Sequence, residues 1–260
     1  MHIKIAHLFP KQMNIYGDIG NILTLQKRLE WRNIGCSIVD IDENNIEAIP
    51  FFDIDIFFLG GGQDIDQEKV SQILLSPNIR NKIQNEVEKD KVFLLICGGY
   101  QLFGKIYIGQ NGEKINGLDI LPIETYAISN KRSDRCIGNI VLKTSLPINP
   151  QTIVGFENHS GQTLFLEDHK NFDKAFHLGE VIYGYGDNSD DKLEGIKYRN
   201  VFGTYLHGSL LPKNPQFADY LLKKALANKY HTEISLLKLK DELEIAAHNK
   251  IVRNYKKGRG

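Results

Sequence analysis

Cysteine is scarce in this chain, with three in 260 residues, and neither sign of charge is in excess. Cys36, Cys97 and Cys136 are odd in number and far apart. That pattern excludes a disulfide framework, and it excludes a zinc site, which needs paired ligands at short spacings. Lys+Arg and Asp+Glu both total 32, so no global field draws the chain to nucleic acid or to a membrane surface. The basic cluster Arg253, Lys256, Lys257 and Arg259 has only Tyr255 interleaved and reads as a solvated tail. No apolar run approaches a membrane span, and Met1-His2-Ile3-Lys4-Ile5 enters a strand pattern without a signal-peptide layout. Linkers, repeats and low-complexity tracts are missing too. The expectation is one domain over residues 1–260, in a reducing cytoplasm that keeps a thiol usable.

What is present is an ordinary globular composition, 42% hydrophobic and 25% charged. The first half alternates strand and helix. Strands are expected over residues 3–9, 36–41, 54–59 and 92–96, a helix over 21–33, and a helical stretch over 66–89 broken near Ser76-Pro77. Continuous apolar strands separated by helices imply an α/β fold, with a mostly parallel central sheet covered on both faces. The second half is richer in strands, at 118–127, 136–143, 152–156, 181–185, 194–198 and 201–206. Helices over 215–227 and 233–254 close the chain, the last carrying Leu236, Leu239, Leu243 and Ala247 at helical spacing.

The chemistry centres on Cys97. It ends the apolar run Val92-Phe93-Leu94-Leu95-Ile96 and is followed by Gly98-Gly99. A buried strand that ends in a nucleophile, with glycines opening the next helix, is the sequence form of a nucleophile elbow. Helix N-terminal N–H groups there favour a thiolate and can hold an oxyanion. The plainer reading is a buried core cysteine. Gly60-Gly61-Gly62 ends the preceding strand, and a right-handed crossover brings both glycine clusters to one carboxyl edge of the sheet. The triple glycine lacks the Lys-Ser/Thr of a P-loop and the spacing of a dinucleotide fingerprint. It fits a second oxyanion donor, Gly61 or Gly62 beside Gly98; a tight turn would look the same. A thiol also needs a base. His207, after a strand and before Gly208, is the best placed, with His159 in Glu157-Asn158-His159 its rival. No group of side chains suggests a metal.

Together, Gly60-Gly61-Gly62, Ile96-Cys97-Gly98-Gly99-Tyr100-Gln101, Gly155-Phe156-Glu157-Asn158-His159 and Gly203-Thr204-Tyr205-Leu206-His207-Gly208 occur in an order that resembles the class I glutamine amidotransferases of the cobyric-acid-synthase (CobB/CobQ) group. Ile15-Tyr16-Gly17-Asp18 and Tyr183-Gly184-Tyr185-Gly186 bring the chain nearest to the glutaminase subunits of lipid II isoglutaminyl synthases. The resemblance is nearly end to end. It implies that Cys97 is the nucleophile, His207 the general base, and Arg135 the residue that holds substrate glutamine; a guanidinium suits an α-carboxylate. Taken alone, Arg135 reads as a surface residue beside Arg132 and Asp134.

Two departures stand out. Many class I members continue from the histidine as His-Pro-Glu, whereas His207-Gly208-Ser209 has no such carboxylate, and the resemblance implies an aspartate from a partner subunit instead. Leu95, two before the nucleophile, is bulkier than usual and needs room under the turn. The resemblance further implies a heterodimer with a MurT-like Mur ligase subunit. That partner would carry ATP and Mg²⁺, since this chain has no cofactor site of its own, and would amidate the D-glutamate of lipid II to D-isoglutamine. A CobB/CobQ-type subunit serving another acceptor and a non-catalytic binding or regulatory homologue are the alternatives. The final helix from Glu233 is a candidate partner contact, though packing on its own sheet suits it better.

Overall fold

The computed structural model describes residues 1–127 and 135–256; Arg132, Asp134, Lys257 and Arg259 lie outside them. In the first half, β1 (His2–Leu8), α1 (Ile19–Glu30), β2 (Gly35–Ile41), β3 (Ile56–Leu59), α2 (Asp64–Leu74), α3 (Pro77–Glu88), β4 (Val92–Ile96) and the short α4 (Gly98–Phe103) follow in order. Every residue of β3 and β4 is buried, as expected of strands covered on both faces. Pro77 opens α3, because a missing N–H costs nothing in a first turn, and so the predicted break becomes a helix boundary. The second half adds β5 (Ile106–Ile108), β6 (Lys114–Asn116), β7 (Ile123–Ala127), β8 (Cys136–Lys143), β9 (Thr152–His159), β10 (Gly161–Phe165), β11 (Ala175–Tyr183), β12 (Leu193–Tyr198), β13 (Val201–Thr204), α5 (Pro215–Tyr230) and α6 (Glu242–Lys256).

Nine strands form the main sheet in the order β2-β1-β3-β4-β13-β12-β11-β8-β9. The first five are parallel neighbours and the remainder pair antiparallel. The fold is a single α/β unit with this mixed sheet at its centre. A smaller sheet, β10-β7-β5-β6, leaves the end of β9. β3 and β4 are parallel neighbours, so both glycine clusters share one sheet edge. β13 then lies against β4, with Gly203 opposite Leu95. That pairing bears on Leu95: it is fully buried, and the neighbouring strand has no side chain at the paired position.

Two expectations fail. The last helix begins at Glu242, not Glu233, so Leu236 and Leu239 precede it and only Leu243 and Ala247 belong to α6. Arg28 of α1 and Arg32, just after that helix, hold the segment before α6 in another shape: Arg32 Nε donates to the Leu237 carbonyl at 2.7 Å, and Arg28 Nη1 to Asp241 at 2.7 Å. Residues 118–122 are also not strand. Their backbone N–H groups bond back to the end of α4, as in Leu118 to the Leu102 carbonyl and Leu121 to the Phe103 carbonyl. Among the described residues, no helix is long and apolar enough to cross a membrane.

Candidate active site

Cys97 follows β4 with φ 50° and ψ −104°, a strained conformation for a residue with a side chain. Its neighbours explain how the chain tolerates this. A Cβ on Gly99 would stand 2.4 Å from the Leu59 carbonyl oxygen, so only glycine lets α4 start this close to β3. The Cys97 N–H donates to the Thr204 carbonyl at 2.8 Å, which fixes the elbow to the end of β13. The thiol is 7% exposed, enough to meet a small substrate.

Three residues beyond β13, the chain crosses back to β9. His207 N–H donates to the Phe156 carbonyl at 2.8 Å, and Phe156 N–H returns the bond at 3.3 Å. The His207 backbone is thus pinned between the elbow's strand and β9. Its ring is fully buried and edge-on to Tyr16, with centroids 4.9 Å apart. Nδ1 donates to Asp18 Oδ1 at 3.2 Å. Nε2 meets the geometry of no hydrogen bond among the described residues, as is common before substrate arrives, and Cys97 is close enough for its charge to act on the ring. Burial pulls the imidazole down, but the charge of Cys97 and the bond to Asp18 outweigh it and raise the ring to about 10. An imidazolium is the state this favours.

A carboxylate of this chain, Asp18, thus occupies the place beside His207 Nδ1 that the resemblance assigns to an aspartate of a partner subunit. Asp18 is fully buried at the start of α1. Its second oxygen accepts the Gly61 N–H at 2.9 Å. That bond corrects one expectation: the Gly61 N–H orients Asp18 and is not free for an oxyanion. The backbone at 61 is constrained further, since a Cβ there would meet His207 Cε1 at 2.8 Å. Gly62 and Gly98 remain. A Cβ on Gly98 would stand 3.1 Å from the Gly62 nitrogen, so the two backbones converge beside the sulfur. The loop bearing Asp18 is tied to the loop after His207 by Ser209 Oγ donating to the Gly17 carbonyl at 2.6 Å and Leu211 N–H donating to Asn21 at 2.9 Å.

His159 is placed differently. It stacks on Tyr205 with centroids 3.8 Å apart, and Nδ1 donates to the Gly161 carbonyl at 2.8 Å. It lines the cavity in front of Cys97, a space of about 650 Å³ walled also by Tyr16, Asp64, Gln67, Tyr107 and Arg135. Arg135 is held by Asn158, accepting through its side-chain oxygen at 3.1 Å and its carbonyl at 3.2 Å. Gln67 donates to the Gly62 carbonyl and Gln101 to the Tyr205 hydroxyl, so each keeps its amide oxygen as a buried, unpartnered acceptor. A strained thiol, a charged imidazole, two convergent N–H groups and free amide acceptors can attack and release a carboxamide.

The model of the CobB/CobQ-like glutamine amidotransferase domain matches residues 4–215. The chain belongs to this family. This amidotransferase is 42% identical over 230 residues to the lipid II isoglutaminyl synthase (glutamine-hydrolyzing) subunit GatD of Staphylococcus aureus, covering 88% of this chain and 87% of that protein. It is 38% identical over 247 residues to the subunit of the same name from Streptococcus pneumoniae, covering 93% and 87%. A probable cobyric acid synthase of Methanococcus vannielii is 31% identical over 159 residues, 59% of this amidotransferase and 30% of the larger protein. A crystal structure of a glutamine amidotransferase from Thermotoga maritima aligns over 100% of this chain and 94% of its own, with a TM-score of 0.50 at 14% identity, a likeness of fold.

Proposed function

We propose that this amidotransferase is the glutaminase subunit of a lipid II isoglutaminyl synthase. It hydrolyses L-glutamine on Cys97 and passes ammonia to a MurT-like Mur ligase partner. That partner would hold ATP and Mg²⁺ and convert the D-glutamate of lipid II to D-isoglutamine, a step of peptidoglycan biosynthesis. The observation that carries the reading is the juxtaposition of Cys97 with a His207 charged by Asp18, in a chain similar over most of its length to two GatD subunits.

The Cys97 sulfur attacks the side-chain amide carbon of glutamine. The N–H groups of Gly62 and Gly98 bear the charge that gathers on oxygen. His207 gives its proton to the departing nitrogen, ammonia leaves, and a thioester remains. The imidazole then takes a proton from water, whose oxygen displaces the sulfur and yields glutamate. Asp18 holds the tautomer and orientation of the ring throughout, and Arg135 receives the α-carboxylate. Co-expression with a candidate Mur ligase, followed by a glutaminase assay with ATP and lipid II, tests the reading. Amidated lipid II that disappears in a Cys97→Ala complex is the expected result. Ammonia release that survives Cys97→Ala overturns it, and release with transfer to a different acceptor would make the chain a CobB/CobQ-type subunit of another synthase.

A further inference from the structure

We propose that Asp187 and Glu194 form a buried carboxyl pair that shares a proton, and that Glu194 is a positioning residue of the site: it sets the Thr204-Tyr205 turn, on which both Cys97 and His207 depend. The effect on glutamine turnover rests on the glutaminase reading; the shared proton stands apart from it.

Glu194 lies in β12 and Asp187 in the turn before it, which the Asp187 N–H closes by donating to the Leu193 carbonyl at 2.9 Å. Both are at most 1% exposed, and their carboxyls are within hydrogen-bonding reach of each other. Each has one oxygen occupied. Glu194 Oε1 accepts from Thr204 Oγ1 and from the Tyr205 N–H, both at 2.7 Å, and Asp187 Oδ2 accepts from the Tyr100 hydroxyl at 3.3 Å. The other two oxygens, Glu194 Oε2 and Asp187 Oδ1, are buried and have no donor among the described residues. The titratable groups that face the pair bring no compensating cation. They are Tyr100 of α4, Tyr205, Glu157 of β9, Asp191, and His177 of β11. His177 Nδ1 is 3.9 Å from Asp187 Oδ2, and burial holds that imidazole below its ordinary value. Two ionised carboxylates cannot sit together in such a place. A proton carried by one free oxygen and accepted by the other satisfies both and leaves a single charge. Burial raises both carboxyls, in keeping with a retained proton.

The remaining charge orders the turn that leads to the base. Thr204 Oγ1 gives its proton to Glu194, so its lone pairs are left for the Leu206 N–H, which donates to it at 3.2 Å. The Thr204 carbonyl accepts the Cys97 N–H at 2.8 Å, and His207 stands one residue beyond Leu206. One carboxylate oxygen thereby fixes three consecutive residues between the elbow and the imidazole. Neither Asp187 nor Glu194 lines the cavity in front of Cys97, so the pair acts on the reacting groups and not on substrate.

Infrared difference spectra of the full chain in H2O and D2O, taken above the value of about 7 to which Glu194 is raised, read the proton directly. The parent should show the carbonyl stretch of a protonated carboxyl. Asp187→Asn should remove it, and Glu194→Gln, which takes away its acceptor, should shift or remove it. A parent without the band, or a band that neither variant changes, overturns the shared proton. In the assembled enzyme, Glu194→Ala should lower kcat for glutamine hydrolysis about 10- to 100-fold while KM stays within about two-fold, and Glu194→Gln should recover part of the loss. An unchanged kcat, or a loss carried by KM, overturns the positioning role. Circular dichroism checks the fold of each variant. If Glu194→Ala does not fold, Glu194→Gln takes its place in the kinetic comparison, and its kcat should still lie below the parent's at an equal KM. A parent enzyme without glutaminase activity would instead overturn the glutaminase reading, and the infrared band alone then decides the pair.

Discussion

Asp18 shows how much one side chain decides here. It is the oxygen acceptor for His207 Nδ1 and also accepts from Gly61, so it both orients the imidazole and organises the glycine turn. Asp18→Asn keeps the shape but offers His207 no charge. Glutaminase activity should fall roughly 100-fold or more. His207 must carry its proton to release ammonia, so activity is lost as pH rises through about 10 in the parent chain. Because Asp18 raises that value, the alkaline limb of the pH–rate profile should move toward neutrality in Asp18→Asn. An unmoved limb would mean that the carboxylate does not act through the ring. A second residue-scale prediction concerns Glu194, fully buried beneath the site, where it accepts from Thr204 Oγ1 and the Tyr205 N–H, both at 2.7 Å. Burial raises it to about 7, those bonds opposing, and raises its neighbour Asp187 as well. A carboxyl raised on folding leaves the native state holding more protons than the unfolded chain. Its effect is therefore most favourable below about pH 4.5 and is lost as pH climbs through 7. Thermal midpoints of Glu194→Gln, compared with the parent across that range, should fall less steeply.

At the scale of elements, two contacts carry specific expectations. Arg28 of α1 is 1% exposed and ion-paired with Asp219 of α5 and with Asp241, both at 2.7 Å. Arg28→Ala leaves Asp241 without its arginine and Asp219 with Arg32 alone, and should cost about 3 kcal/mol in urea unfolding. Gly99→Ala drives a methyl group into the Leu59 carbonyl and should prevent the elbow from forming, read as loss of the folded thermal transition. The elements also differ in how plainly the sequence announced them. β3 and β4 are uninterrupted apolar runs, and Ser76-Pro77 marked a helix boundary, so both were legible. β5, β6 and β10 were not. Lys114-Ile115-Asn116 and Gly161-Gln162-Thr163 have too few apolar residues to show a period of two, and pairing within the second sheet makes them strands. The segment before α6 misled in the other direction. Leu236, Leu239 and Leu243 fall at helical spacing, yet Arg28 and Arg32 claim the chain near Leu237 and Asp241, and tertiary charge overrides local preference.

For the molecule as a whole, the site's legibility divides by distance along the chain. Cys97 could be found because strand, thiol and glycines are contiguous. Asp18 lies 189 positions from His207, in a short turn with no periodic pattern, and only the fold brings the two together. Asp187 and Glu194 were likewise invisible as a pair. The whole-molecule prediction is that Cys97→Ala leaves the thermal midpoint nearly unchanged while abolishing ammonia release from the assembled enzyme, because one small side chain leaves a sheet of nine strands intact.

The position of β13 has a consequence in time. This strand sits at the middle of the main sheet, yet it comes from the last third of the chain, beside β4 from the first half. During synthesis, β4 and its thiol emerge well before the strand that must lie against them, and the sheet keeps an open edge until residues 201–204 leave the ribosome. His207 follows three positions later. Closure of the main sheet and chemical competence therefore arrive almost together, and a chain terminated before residue 201 acquires neither.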